Sequence, residues 1–215
     1  MTSNNPIPII IAFLISLSIH ETAHAYIANR LGDPTARLAG RVTLNPFAHL
    51  DPVGTLLPLF LMMMGSPIIF GWGKPVPFDP FNLLHPRRDA ALISFAGPAS
   101  NLILAVALSV IFRLIYPFLI PYSLIISLFV SMIALNVMWG LFNLIPIHPL
   151  DGGKVLVGLL PREHAYKIDK VLKQYGFIIL IFLIFPFLGT SPVIFILSPI
   201  INFILNILLP RVPLV

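Results

Sequence analysis

Two histidines and a glutamate are the residues of this 215-residue chain best spaced for chemistry: His20-Glu21-Thr22-Ala23-His24. On a helix, side chains four apart share one face, with Cβ atoms about 5–6 Å apart. Two imidazoles so placed can grip one zinc ion at about 2.0–2.1 Å each. Such an ion acidifies water to a pKa of about 7, and a carboxylate just past the first ligand can accept the proton without ligating. The alternative is a helix with two satisfied histidines and an accidental glutamate. The chain's own His and Glu frequencies put a chance match at roughly one in several hundred. A mid-span glutamate without a partner would also be expensive.

A catalytic zinc usually keeps three protein ligands and leaves a fourth position for water. Cysteine is absent, so the third must be Asp, Glu or His. Asp151, His148 and His49 are the candidates. Asp151 lies in Pro149-Leu150-Asp151-Gly152-Gly153, where two glycines free the backbone to turn a carboxylate toward another helix. Its depth matches that of His24, which favours it, although a plain Asp-Gly turn reads the same way. A loop histidine such as His49 more often bonds its neighbours, and His148 suits support of Asp151 or simple interfacial exposure equally. His85 and His164, among basic residues, read as solvated.

The elements that must position these residues are apolar. Hydrophobic residues make up 58% of the chain and charged ones only 10%, with a mean hydropathy of +0.97. Soluble domains run about half apolar and one quarter charged, so this is a membrane protein. The fold class expected is an all-α polytopic bundle of about four to six transmembrane or re-entrant helices, with a small β-like loop region near the site. Ile7–Leu31 is long enough to span, with prolines at its start and Gly32-Asp33-Pro34 at its end. Thr35–Leu50 is too polar to span, and Val42-Thr43-Leu44 suits a short strand. Val53–Ile69, broken by Pro58, Gly65 and Pro67, suits a re-entrant segment. Gly71–Pro80 is a turn-rich loop able to include an extended edge. Asp89–Ile115 spans, kinked at Pro98, and its small residues allow close helix contact. Tyr122–Ile147 spans, carrying Asn136 and Asn143. Arg162–Gln174 suits an interfacial helix, Phe177–Ile196 spans with interruptions at Pro186 and Gly189, and Ser198–Leu209 is apolar but short.

The formal charge of +5 does not point to nucleic acid, because no dense basic tract occurs. Eleven of the 13 Lys and Arg fall in residues 30–50, 70–88 and 148–174. All three loops are cytoplasmic if Val53–Ile69 dips in and returns, which puts the site toward the cytoplasmic side. Met1–Asn5 lacks the basic start of a signal peptide, so the first apolar segment is expected to be retained.

Three stretches in this order carry a resemblance: His20-Glu21-Thr22-Ala23-His24, Ala96-Gly97-Pro98-Ala99-Ser100-Asn101, and Asn143-Leu144-Ile145-Pro146 running into Leu150-Asp151-Gly152-Gly153. The chain resembles the site-2 protease family of intramembrane zinc metalloproteases (peptidase family M50) over about residues 10–160. The resemblance implies one zinc ion per chain, held by His20, His24 and Asp151, with Glu21 as general base. It implies that Asn143 holds substrate or stabilises the oxyanion. It also implies a multi-pass protein of the cell membrane cleaving transmembrane segments of membrane-protein substrates. With no PDZ or other appended domain expected, residues 1–215 read as one membrane-embedded domain. Its core is about 7–160, followed by an interfacial helix and hydrophobic segments over 161–215. A membrane metal transporter would show two related halves, which are not visible. A catalytically silent scaffold would have no use for Glu21.

Overall fold

A computed structural model describes residues 6–64, 71–186 and 191–210. Eight α-helices occur among them: α1 (Ile7–Arg30), α2 (Thr35–Leu38), α3 (Pro52–Met63), α4 (Pro86–Leu119), α5 (Ser123–Asn143), α6 (Asp151–Leu159), α7 (Arg162–Ile184) and α8 (Pro192–Leu208). Proline opens α1, α4 and α8, where its missing N–H would be unpaired anyway. Helices α1, α4 and α5 are long and apolar enough to cross a membrane. At 1.5 Å per residue the 34 residues of α4 run about 51 Å, well beyond a hydrocarbon core of about 30 Å. The expected all-α membrane bundle is what forms.

Helix α4 is the centre of the bundle, packed on α1, α5 and α6, and α1 also meets α5. Between them lie fully buried Ala12, Ala25, Ala105, Ile133 and Val137. Phe112 of α4, also fully buried, stacks on Phe129 of α5 at 5.2 Å. Small residues set the spacing: a Cβ on Gly140 would stand 2.9 Å from the Leu102 side chain and 3.1 Å from the Pro98 carbonyl oxygen. The helix runs on through Pro98.

Several expectations need correcting. Val42–Leu44 forms no strand, because the Thr43 carbonyl is taken by side chains, the Thr22 hydroxyl at 2.5 Å and His49 Nε2 at 2.7 Å. Among the described residues the β-like region is instead one antiparallel bridge between Leu50 and Gly73, extended by a bond from Lys74 N to His49 O at 2.8 Å. The charged stretch 162–174 and the apolar stretch after it are one continuous helix, α7. Gly176 does not break it; that glycine lies against the His148 carbonyl, which a side chain would strike. Asp151-Gly152-Gly153 is not a bend but the first turn of α6. Helix α3 is 12 residues long, about 18 Å, too short to span. The rest of that expected re-entrant segment, residues 65–69, and Gly189 lie outside the described residues.

Candidate metal centre

His20 and His24 sit on the face of α1 turned to α4, only 4% and 8% exposed. Their Nε2 atoms converge on one carboxylate oxygen: Asp151 Oδ2 is 3.2 Å from His20 Nε2 and 3.3 Å from His24 Nε2. Tetrahedral ligation at about 2.0–2.1 Å would hold neighbouring ligand atoms roughly 3.3 Å apart. The three ligand atoms therefore fit the shell of a single ion, and all lie within 4.8 Å of one another. Among the described residues this is the group of His and acid side chains that can do so.

A hydrogen bond alone would give similar distances, and the second nitrogen of His24 decides how far that explanation goes. Its Nδ1 is 2.6 Å from the Ile93 carbonyl oxygen, an atom that can only accept. Nδ1 therefore carries hydrogen, and in a neutral ring Nε2 then presents a lone pair to a carboxylate oxygen. Two acceptors facing each other need a cation between them, a proton or a metal. The backbone leaves room for it. A Cβ on Gly97 would lie 2.6 Å from His20 Nε2 and closer still to His24 Nε2, so α4 presents bare backbone to the site.

Asp151 is brought here by the start of α6, whose glycines are required for space. A Cβ on Gly152 would collide with the carbonyls of Leu144 and Ile145, and one on Gly153 with the backbone and ring of His148. The sharp return from α5 into α6, which includes a cis His148–Pro149 peptide, leaves no volume for side chains there.

Glu21 is half-buried and is not one of the three converging groups. The loop beside it passes close at a glycine: a Cβ on Gly73 would stand 3.4 Å from Glu21 Oε1. That loop is pinned on both sides. Arg41, 5% exposed, donates to the Lys74 carbonyl. Asp33, fully buried, accepts from the backbone N–H and hydroxyl of Thr35, the Asp79 N–H and the Asn82 amide at 2.5–3.0 Å. Burial alone would raise the Asp33 carboxyl, but these donors hold it below the usual carboxylate range.

His49 is fully buried and bonds the Thr43 carbonyl, outside the converging group. His148, half-buried, pairs not with Asp151 but with Asp169 of α7, at 3.1 Å. Asn143, half-buried at the end of α5, donates to the Trp139 carbonyl one turn back at 3.1 Å. The Trp139 ring lies 6.3 Å from that of His20. Not anticipated was the set of groups behind the histidines: the Ile93 carbonyl, and Asn101, whose Oδ1 is 2.5 Å from His20 Nδ1. Asn101 and Asn136 are both fully buried, and an amide inside a spanning segment was the available signal.

The family model described as Peptidase family M50 matches residues 118–184. A Bacillus subtilis (strain 168) protein named "Putative zinc metalloprotease YwhC" is 38% identical over 90% of this chain and 85% of its own length. Rip2 of Mycolicibacterium smegmatis, whose name likewise reads zinc metalloprotease, is 32% identical over 82% of this chain and 66% of its own. The zinc metalloprotease MJ0392 of Methanocaldococcus jannaschii is 25% identical over 87% of this chain and 45% of its own. No solved structure matches. A zinc-protease family is what two histidines and an aspartate meeting inside a helical membrane bundle would suit, and the extent of the likeness to YwhC settles the membership: the chain belongs to peptidase family M50, the site-2 protease family.

Proposed function

We propose that the protein is a zinc-dependent intramembrane endopeptidase in which His20, His24 and Asp151 hold one zinc ion and Glu21 is the general base. The observation that carries this reading is the convergence of two Nε2 atoms on Asp151 Oδ2, with His24 Nδ1 already engaged on a carbonyl. Zinc bound there would supply a Lewis acid that acidifies water and polarises a carbonyl.

The remaining work falls to the chain. Glu21, beside the three ligands but outside them, takes the proton of the attacking water and returns it to the departing amine as the peptide bond breaks. Among the described residues Asn143 keeps an unspent amide hydrogen and its oxygen for a substrate backbone, which supports the positioning role its motif implies. The bridge at Gly73 puts backbone next to Glu21, where a locally unwound transmembrane segment can lie. The distribution of Lys and Arg among the loops supports a site toward the cytoplasm of a multi-pass cell-membrane protein. Residues 1–215 act as one membrane-embedded domain.

Purified protein with a model transmembrane peptide tests the reading. Glu21→Gln should retain zinc and lower cleavage by about 10²–10⁴-fold, the usual weight of a general base. Full cleavage by the zinc-loaded variant would overturn the mechanism. Zinc flux into vesicles without any cleavage would turn the reading to a transporter.

A further inference from the structure

A histidine binds metal through one nitrogen only if the other keeps the hydrogen, and which nitrogen keeps it is set by its partner. For His24 a carbonyl settles the matter. For His20 the partner is the side chain of Asn101, and an amide can present either its oxygen or its nitrogen. The surroundings remove that freedom, beginning with Asn136, which bonds Asn101.

Asn136 is fully buried, and one of its terminal atoms lies 2.7 Å from the Met132 carbonyl oxygen. A carbonyl only accepts, so that atom is Nδ2, which also donates to Ser16 Oγ at 2.7 Å. The other terminal atom of Asn136 is therefore Oδ1. It faces a terminal atom of Asn101 at 2.6 Å, which must be a donor. That same atom of Asn101 is 3.3 Å from the Ser16 carbonyl oxygen, which makes the same demand independently. Asn101 thus turns Nδ2 away from the site and Oδ1 toward it, 2.5 Å from His20 Nδ1. An acceptor in that place keeps hydrogen on Nδ1 and leaves the Nε2 lone pair facing Asp151.

We propose that Asn101 and Asn136 are positioning residues that hold His20 as the Nδ1–H tautomer, the two backbone carbonyls of Ser16 and Met132 fixing the direction of the relay. The inference rests on the zinc reading of the site. Deep in an apolar bundle, reversing one amide would set donors against donors and acceptors against acceptors, and water is not at hand to repair them. The network joins α1, α4 and α5 at the depth of His20, so that ligand is oriented before any ion arrives. Ser16, Asn101 and Asn136 share no atom with the converging ligand set, which separates their role from ligation.

The test uses the full-length protein in detergent, with zinc as the probe. Chelator competition gives the zinc affinity of wild type, Asn101→Leu and Asn136→Leu. ¹⁵N NMR of histidine-labelled, zinc-loaded wild type reads which ring nitrogen of His20 bears hydrogen. Expected is an Nδ1–H signal from both His20 and His24 in wild type, and a 10–100-fold weaker zinc affinity in Asn101→Leu. A smaller loss should follow in Asn136→Leu, which leaves Asn101 one of its two orienting acceptors. In Asn101→Leu the His20 signal should change while that of His24, held by Ile93, stays, a split that general loosening would not produce. Unchanged affinity in Asn101→Leu, or a wild-type His20 with hydrogen on Nε2, would overturn the proposal and leave the zinc reading standing. Wild type that binds no zinc sinks the zinc reading, and the proposal with it. Should Asn101→Leu not fold, the wild-type spectrum alone decides.

Discussion

Around His20, three helices meet through side chains that are fully buried and bonded in fixed directions, whereas α8 bonds its neighbour through its last turn. Ser16, Asn101 and Asn136 are 0% exposed and bond one another across α1, α4 and α5. By contrast α8, which packs on α5, makes its hydrogen bonds to α4 through its last carbonyls: Leu208 O accepts from Ser109 Oγ, and the Arg113 guanidinium donates to the carbonyls of Ile207, Leu208 and Leu209. Much of the apolar surface of α8 is open, Phe195 at 77% and Phe203 at 68%, as lipid contact requires. The first arrangement specifies angles and proton positions; the second specifies only where a helix lies. Substitutions in the two regions should therefore fail differently, the first in chemistry and the second in stability.

The sharpest break should come at Gly97. A methyl group there would press on the Nε2 atoms of both histidines, and it cannot escape without moving α4 or α1. Gly97→Ala is expected to lower both zinc content and peptide cleavage, the latter by about 10²-fold or more, since misplacing catalytic groups by about 1 Å has that effect. Its melting temperature in detergent should change little by comparison. A Gly97→Ala protein with full zinc and full cleavage would show that the close approach of α4 is incidental.

Much of the first region was legible in the sequence because its signals are local. Four-residue spacing puts His20 and His24 on one face whatever surrounds them, and the spans α1, α4 and α5 follow from apolar runs bounded by proline. What was not legible depends on distance across the chain. Asp151 is 131 residues from His20, and its own sequence reads equally as a turn. Helix α6 was missed because Gly152 and Gly153 argue against a helix start by propensity, while the crowded backbone behind them permits nothing larger. Helix α7 was divided because its charge changes halfway along, although helical geometry does not. Asn101 stood inside a stretch already singled out, but that its oxygen rather than its nitrogen faces His20 follows only from the carbonyls two contacts away.

In the second region Arg113 gives the next effect in size. Arg113→Met keeps an unbranched apolar stem and removes the bonds to the three carbonyls at the end of α8. Bonds to a charged group are worth about 1.5–3 kcal/mol when buried and less where the group is open, so a loss of about 1–2 kcal/mol is expected. Denaturant unfolding in detergent measures it. Cleavage of the model peptide at a temperature where the variant is folded should match wild type; a matching loss of cleavage would mean that α8 positions the site and would erase the contrast.

The smallest effect, and the one that bears most on where the two regions join, is at Asp169. Its carboxylate bonds His148 Nε2 at 3.1 Å and Lys173 Nζ at 2.6 Å, tying α7 to the turn that leads into Asp151. Burial alone would raise the Asp169 carboxyl, but Lys173 and His148 outweigh it and hold the group below the usual carboxylate range. A carboxyl depressed by folding contributes stability above its unfolded pKa of about 3.9, and that contribution is lost as pH falls through the lower folded value. Asp169→Asn should therefore cost about 0.2–1 kcal/mol at neutral pH, as partly exposed pairs do. The difference from wild type should begin to shrink below about pH 4 and vanish once pH falls past the lowered folded value, leaving the acid sensitivity that Asp33 still imposes. Cleavage at pH 7 tells which region the His148 turn belongs to. If Asp169→Asn loses only stability, the turn is held by the glycines of α6 packing on its backbone and α7 is an outer brace. If it also loses zinc, the boundary of the site extends into α7, and the first region is larger than the three buried amide and hydroxyl side chains suggest.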